Sequence, residues 1–272
     1  MNETKINYGN WVPKKMIVIA FVMAITFTII SILIYPFTFN IILTNNIDIF
    51  PLFLALNIIL WVIDFFCIFI TVFFTSLYRA FDANNEKLQN DIRNIVLENL
   101  QWNGEGKALD IGTGSGYLAI KLAKFNNNSE AIGIDYWGSS WSYSVKLCEQ
   151  NAEKEGVKER TRFQRADAAN LPFEDETFDA IVSNLVFHNI AKIRDKSKFF
   201  KEALRVLKKG GAFSIQDKVK SKILYGNFNK LEKKIEETGV AEMHYKDTNL
   251  ALEMPRSARM ELKTMGIFYG IK

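Results

Sequence analysis

The residues with the most chemical content lie in "LDIGTGSGYLAI", residues 109–120. An apolar run carries Asp110 near its end, and Gly112, Gly114 and Gly116 follow at alternate positions before an apolar stretch at helical spacing. Glycine lets the backbone turn sharply and lie against a ligand with no Cβ between them. A strand, a tight turn and a helix around a nucleotide are therefore predicted. A dinucleotide fingerprint read from Gly112 fails, because its third glycine falls on Tyr117. Read from Gly114 it matches formally at Ala119, but then Asp110 and Gly112 occupy positions where the strand should turn apolar side chains inward. The other register keeps Asp110 as an acid at the strand end, suited to a cationic amino group rather than a pyrophosphate. Asp135 ends the next apolar run. It is placed to accept from both ribose hydroxyls, whichever nucleotide is bound.

These residues need a frame to hold them. From Gly104 onward, "KALDIG", "EAIGIDYW", "TRFQRAD", "FDAIVSNLVFH" and "AFSIQDK" read as strands. Between them, "GYLAIKLAKF", "WSYSVKLCEQNAEKEG" and "KSKFFKEALRVLKKGG" read as helices, the last closed by its glycine pair. Such alternation predicts an α/β fold, a doubly wound, mostly parallel Rossmann-like sheet covered on both faces. Ligands bind such sheets beyond the carboxyl ends of the strands.

Four stretches in order, "LDIGTGSG", "GID", "RADAANLPFEDETFDAIVSN" and "EALRVLKKGGAF", resemble Rossmann-type S-adenosylmethionine-dependent methyltransferases across about residues 105–218. The resemblance is to small-molecule and lipid enzymes such as those of ubiquinone and menaquinone biosynthesis. It implies S-adenosyl-L-methionine as cofactor. Gly112 and Gly114 would line its methionine and ribose, with Gly116 completing the turn. Asp110 would help hold the amino group, Asp135 the ribose, and Asp167 with Ala168 the adenine edge. Tyr136 or Trp137 would pack on the adenine face, and Asn184 would border the cofactor at the end of the fourth strand. Plainer roles stay open: Asp110 as a helix cap, Asp167 as a turn former, Tyr136 and Trp137 as core aromatics.

"SNLVFHN" lacks the Asn-Pro-Pro-aromatic motif of enzymes that methylate adenine or glutamine amides. His188, four residues past Asn184, is the candidate catalytic residue. Its imidazole could take a proton from an acceptor hydroxyl or thiol, or merely cap the next helix. His244 carries no motif and reads as a surface residue.

The first 78 residues differ in kind. "MIVIAFVMAITFTIISILIYPFTFNIIL" (16–43) and "IFPLFLALNIILWVIDFFCIFITVFFTSL" (49–77) each exceed the roughly 20 residues needed to span a bilayer. Residues 1–78 are thus expected to form a two-span hairpin, turning at "TNNID" (44–48). Lys14, Lys15, Arg79 and Lys87 flank the spans, while the turn has Asp48 and no basic residue. The positive-inside rule puts the N-terminus and the catalytic domain in the cytoplasm. Asp64, within the second span, reads as a protonated acid facing the partner helix, as a tie to Asn57 or Asn40, or as a substrate contact. Residues 79–103 are expected to form an amphipathic linker helix, with Leu88, Ile92, Ile95, Val96 and Leu100 on one face. Residues 104–272 form the expected cofactor domain.

Residues 1–78 balance Lys5, Lys14 and Lys15 against Glu3, Asp48 and Asp64, so the net charge of +4 resides in the remainder. An excess this small implies no nucleic-acid partner. Two cysteines, Cys67 and Cys148, and two histidines give neither a disulfide framework nor metal spacing, so no metal is expected. The lysine-rich stretch 208–234 could rest on anionic lipid or be a solvated face. The reading is a membrane-anchored methyltransferase acting on a small or lipophilic acceptor. Its rivals are a NAD-linked oxidoreductase and a non-catalytic nucleotide-binding membrane protein.

Overall fold

The computed structural model describes residues 6–43, 50–81, 87–138, 142–248 and 252–272. It divides into two compact units, Asn10–Phe81 and Met1–Gly9 with Asp82–Lys272.

The first unit is a pair of helices, α1 (Lys14–Leu43) and α2 (Phe50–Ala80). The expected turn at 44–48 lies outside the described residues. Each helix is about 45 Å long at 1.5 Å per residue, more than the roughly 30 Å of a hydrocarbon core. Their large apolar side chains face outward: Phe21, Leu33, Trp61 and Phe65 are each more than half exposed. A helix that is apolar on every side belongs in a core or a membrane, and no protein covers these faces among the described residues. Asp64 is buried between the helices, both carboxyl oxygens 3.0 Å from Thr28 Oγ1. Thr28 is a neighbour that the sequence reading passed over.

The second unit is a seven-stranded sheet. Its strands are β1 (Gly106–Ile111), β2 (Ser129–Asp135), β3 (Thr161–Arg165), β4 (Phe178–Asn184), β5 (Leu207–Asp217), β6 (Glu242–Asp247) and β7 (Gly266–Ile271). Their order is β3-β2-β1-β4-β5-β7-β6, parallel except that β7 runs against both of its neighbours. Helices α3 (Lys87–Glu98), α4 (Tyr117–Ala123) and α5 (Val145–Lys154) cover one face. On the other lie α6 (Ser197–Val206), the short α7 (Lys222–Tyr225), and α8 (Phe228–Glu236), with α9 (Arg256–Glu261) preceding β7. The doubly wound sheet is therefore present.

Two apolar layers hold it. Ile95, Val96, Leu118, Ile120 and Leu122 pack on one side, and Phe178, Phe199, Phe200, Phe213 and Phe268 on the other. Each such side chain, fully buried, stabilises the fold by roughly 1.5–3 kcal/mol. The apolar face expected on the linker, Leu88, Ile92, Ile95, Val96 and Leu100, is buried. Within the expected linker, α2 runs on to Ala80 and α3 spans Lys87–Glu98, and residues 82–86 lie outside the described residues. A difference concerns the glycine pair. It does not cap α6, because β5 already starts at Leu207, paired with Phe178, and the register shifts before Ala180–Ala212. Gly210, at φ 75°, donates its N–H to the Lys272 carbonyl, so the pair forms an irregularity inside a strand.

Candidate active site

β1 delivers Asp110 to the carboxyl edge of the sheet, where the chain turns through the glycines into α4. All three glycines have positive φ, and a Cβ on Gly112 would overlap the side chain of Val186. At that position glycine is a steric requirement. Gly116, at φ 88°, stands at the N-cap of α4 and has no side chain to cap it. Asp110 supplies that function from below, its Oδ2 accepting from the Ala119 N–H (3.1 Å) and the Thr113 hydroxyl (2.7 Å). The cap reading is thus realised, while both bonds fall on one oxygen. Burial pushes the Asp110 carboxyl up to about 7, against the opposing pull of these two bonds and of Arg93.

The loop is fastened to β2. Gly112 and Thr113 donate to the Ile134 carbonyl, and Gly114 donates to Asp135 Oδ2 at 2.9 Å. Asp135 Oδ1 accepts from the Trp137 N–H at 2.8 Å, and the Trp137 indole N–H returns to the Gly114 carbonyl at 2.9 Å. Asp135 thus grips the glycine loop and the chain leaving β2, and each oxygen keeps a lone pair for a further donor. Asp110, Gly112, Gly114, Gly116 and Asp135 stand together at this corner.

The remaining expected residues flank it. Tyr136 is 61% exposed, with the Arg165 guanidinium 4.3 Å from its ring centroid. It is not a core aromatic. Asp167, after β3, accepts from the Ala169 N–H at 2.9 Å, which is the turn-forming role, and Ala168 packs at the edge of the core. At the end of β4, Asn184 Oδ1 is buried with no hydrogen-bond partner. A buried orphan acceptor beside a glycine turn suits a ligand donor.

His188 lies in the helical turn Phe187–Asn189, two residues beyond Val186. Its Nδ1 is 2.6 Å from Asp217 Oδ1, at the end of β5. Asp217 was not singled out from the sequence, where it reads as one more polar residue after an apolar run. His244, half-exposed on β6, pairs with Glu242.

Four other residues at the site had been missed. Arg93 of α3 is buried, its guanidinium 4.9 Å from the centre of the Tyr117 ring. Tyr143 sits where a Cβ on Gly114 would come within 3.5 Å of its ring. Asn151 and Tyr8 join a segment ahead of α1 to the loop: Ser115 Oγ donates to the Tyr8 carbonyl at 2.9 Å. Nothing in the sequence marks these four residues, and the burial of Arg93 is visible only in the fold. Of the lysine-rich stretch, Lys208, Lys218, Lys220 and Lys234 pair with Asp179, Glu261, Asp247 and Asp195, so half its charge is met within the protein. Among the described residues no cluster of three His, Cys, Asp or Glu could hold a metal ion.

Residues 103–264 match the sequence family described as a methyltransferase domain. This chain belongs to that family. The methyltransferase domain is 32% identical over 123 residues to the uncharacterised methyltransferase YcgJ of Bacillus subtilis, covering 45% of each protein. It is 30% identical over 143 residues to the ubiquinone/menaquinone biosynthesis C-methyltransferase UbiE of Geotalea daltonii, covering 51% of this chain and 58% of that one. The chain spans about half the length of the curated relatives it matches. In fold, it resembles phosphoethanolamine N-methyltransferase 2 of Haemonchus contortus, with a TM-score of 0.50 and 18% identity over 67% of this chain and 52% of that one.

Proposed function

We propose that this protein is a membrane-anchored methyltransferase that moves a methyl group from S-adenosylmethionine to a small or lipophilic acceptor. The observation that carries the donor is the glycine loop clasped to β2 through Asp135, with Asp110 behind it. When bound, S-adenosylmethionine supplies an electrophilic methyl group on a sulfonium sulfur. Asp110 offers its Oδ1 to the amino group, and Arg93 is the buried cation suited to the carboxylate. The spare lone pairs of Asp135 accept from the ribose hydroxyls. Asn184 Oδ1 takes a further donor at the methionine end. Asp167 and Ala168 border the adenine edge, with Tyr136 or Trp137 on its face. His188 receives the proton that the acceptor loses. The domain otherwise contributes alignment, which a displacement at carbon requires above all.

Two helices longer than a bilayer core and apolar on their outward faces support the anchor. Lys14 and Lys15 at the start of α1, and Arg79 at the end of α2, support cytoplasmic ends. An anchored enzyme shares its two dimensions with a lipophilic acceptor, which favours that class.

Calorimetric titration of the solubilised full-length protein with S-adenosylhomocysteine and with NADH tests the donor. Saturable binding of S-adenosylhomocysteine alone is expected. Binding of NADH alone would overturn the reading in favour of an oxidoreductase, and binding of neither would favour a non-catalytic membrane protein.

A further inference from the structure

From the exposed apolar and basic side chains of α7 and α9 we infer that this face of the domain docks on an anionic lipid surface, turning the acceptor side of the sheet toward lipid. The inference rests on the membrane-anchored reading above.

Ile223, on α7, is 96% exposed, more than any apolar side chain on the outward faces of α1 and α2. Met260, on α9, is 57% exposed. One exposed apolar residue alone is ordinary; two on linked elements, set among charges, mark an interaction surface. The elements are linked on both sides of their connection. The Lys220 N–H, just ahead of α7, donates to the Thr264 carbonyl, just after α9, at 3.1 Å, and Lys218 Nζ pairs with Glu261 of α9.

The charges around the two apolar tips are mostly of one sign. Along α9, Arg256, Arg259 and Met260 fall at i, i+3 and i+4 and are exposed, while Ala258 and Leu262 are buried. Lys222 adjoins Ile223, and Lys263 follows α9 by two residues; both are exposed. Residues 218–226 and 252–264 together hold six Lys and Arg against Glu253 and Glu261. Glu261 is taken up by Lys218, and Lys220 by Asp247, which leaves an outward excess of positive charge.

Apolar tips ringed by bases fit the boundary between headgroups and acyl chains. Ile223 and Met260 enter the acyl edge, and the Lys and Arg side chains meet lipid phosphates. A polyanion in water would match the charge but gain nothing from a bare isoleucine. A second copy of this chain would set like charges against each other. Contacts of this size hold a free protein only marginally and reversibly. In a chain already held by two spans the contact is effectively intramolecular, so weak contacts suffice.

The place of this face in the fold gives the docking its consequence. β5 ends at Asp217 and β7 begins at Gly266, its pairing partner, so α7 leaves and α9 enters at the carboxyl edge of the sheet. That edge also carries the glycine loop and the His188 turn. A domain resting on this face gives a lipophilic acceptor a short path from lipid to the methyl group.

Hydrogen exchange of the full-length protein in lipid discs tests this. Discs of phosphatidylcholine are compared with discs in which part of it is replaced by phosphatidylglycerol. Amides of residues 221–226 and 256–263 are expected to exchange about fivefold more slowly, or slower still, in the anionic discs, since one basic residue at an anionic surface is worth about that factor. High salt should abolish the difference. Lys222→Glu combined with Arg259→Glu, and separately Ile223→Asp, should abolish it too. Affinity for S-adenosylhomocysteine should stay within about twofold in these variants, because the altered side chains are exposed and outside the cofactor corner. Equal exchange in the two discs, in a chain that enters them, overturns the inference alone. So does protection that appears in detergent and grows with protein concentration, which assigns the face to a second copy. A chain that stays out of the discs overturns the anchored reading and the inference with it.

Discussion

Asn151 holds both backbone polar groups of Asn7: its Oδ1 accepts the Asn7 N–H at 3.2 Å, and its Nδ2 donates to the Asn7 carbonyl at 2.8 Å. A side-chain amide here does what a neighbouring strand would do. The same Nδ2 reaches the Ser115 carbonyl in the glycine loop at 3.0 Å, and the Tyr8 hydroxyl donates to Glu155 at 2.9 Å. A Cβ on Gly9 would fall 2.5 Å from the Tyr143 ring, so only a bare backbone fits there. The chain ahead of α1 is thereby built into the cofactor domain. The α1–α2 pair interrupts that domain rather than merely preceding it.

Asn151→Ala should therefore loosen residues 6–9 and leave buried groups unpaired, at about 1–3 kcal/mol of domain stability. Urea unfolding of the full-length protein, followed by tryptophan fluorescence, measures this. A fragment beginning at residue 79 lacks the segment altogether. It should bind S-adenosylhomocysteine more weakly than the full chain, and equal affinity would show that residues 6–9 are ornamental.

Asp135→Ala should weaken S-adenosylhomocysteine binding by more than about tenfold, since charge-assisted bonds are worth roughly 1.5–3 kcal/mol each. Because Asp135 also holds Gly114 and Trp137, the variant's circular dichroism and melting temperature must accompany the titration. Parental affinity in a folded variant removes Asp135 from the site.

Cofactor affinity should depend on Asp110. Its carboxyl titrates near 7 in the cofactor-free domain and near 3.8 when unfolded. A raised folded value favours the folded state below the unfolded value, and that contribution is lost as pH rises through about 7. A cationic amino group reverses the preference, because it binds the carboxylate. Affinity should therefore rise from pH 5.5 to about 7.5 and then level off, with proton release on binding at the acid end. Calorimetry in buffers of different ionisation enthalpy detects that release. Asp110→Asn should bind more weakly and flatten the profile; an unaltered profile in this variant would assign the titration elsewhere.

The glycine loop, Asp110 and Asp135 were legible because strand, turn and helix are contiguous and steric need dictates glycine at Gly112. Short-range pattern fixed the sheet for the same reason. The pairs that complete the site are long-range: Asn7 with Asn151, His188 with Asp217, Ser115 with the Tyr8 carbonyl. Nothing local marks Asn7 or Asp217, since each looks like a solvated polar residue until the fold brings its partner. The start of β5 was misplaced because "LRVLKKGG" satisfies helical spacing and a glycine stop equally well. Pairing of Leu207 with Phe178, a tertiary contact, decided it.

The last expectation concerns the helices. An enzyme acting on a soluble metabolite gains little from two membrane spans, whereas confinement with a lipophilic acceptor raises the effective concentration of each for the other. The outward faces of α1 and α2, rich in Phe, Ile and Leu, supply the apolar area for that confinement. Replacing residues 10–81 by a flexible glycine-serine linker keeps Asn7 and Tyr8 available to the glycine loop. The variant should retain affinity for S-adenosylhomocysteine to within about threefold, as its cofactor contacts survive, yet lose about tenfold or more in methyl transfer to lipid. The comparison uses liposomes of extracted lipids and labelled S-adenosylmethionine, with both proteins at equal cofactor occupancy. Flotation of the parent but not the variant with the vesicles establishes anchoring independently of turnover. Equal labelling of lipid by both forms, or label found only in water-soluble products, would remove the lipophilic acceptor and leave the helices as a tether.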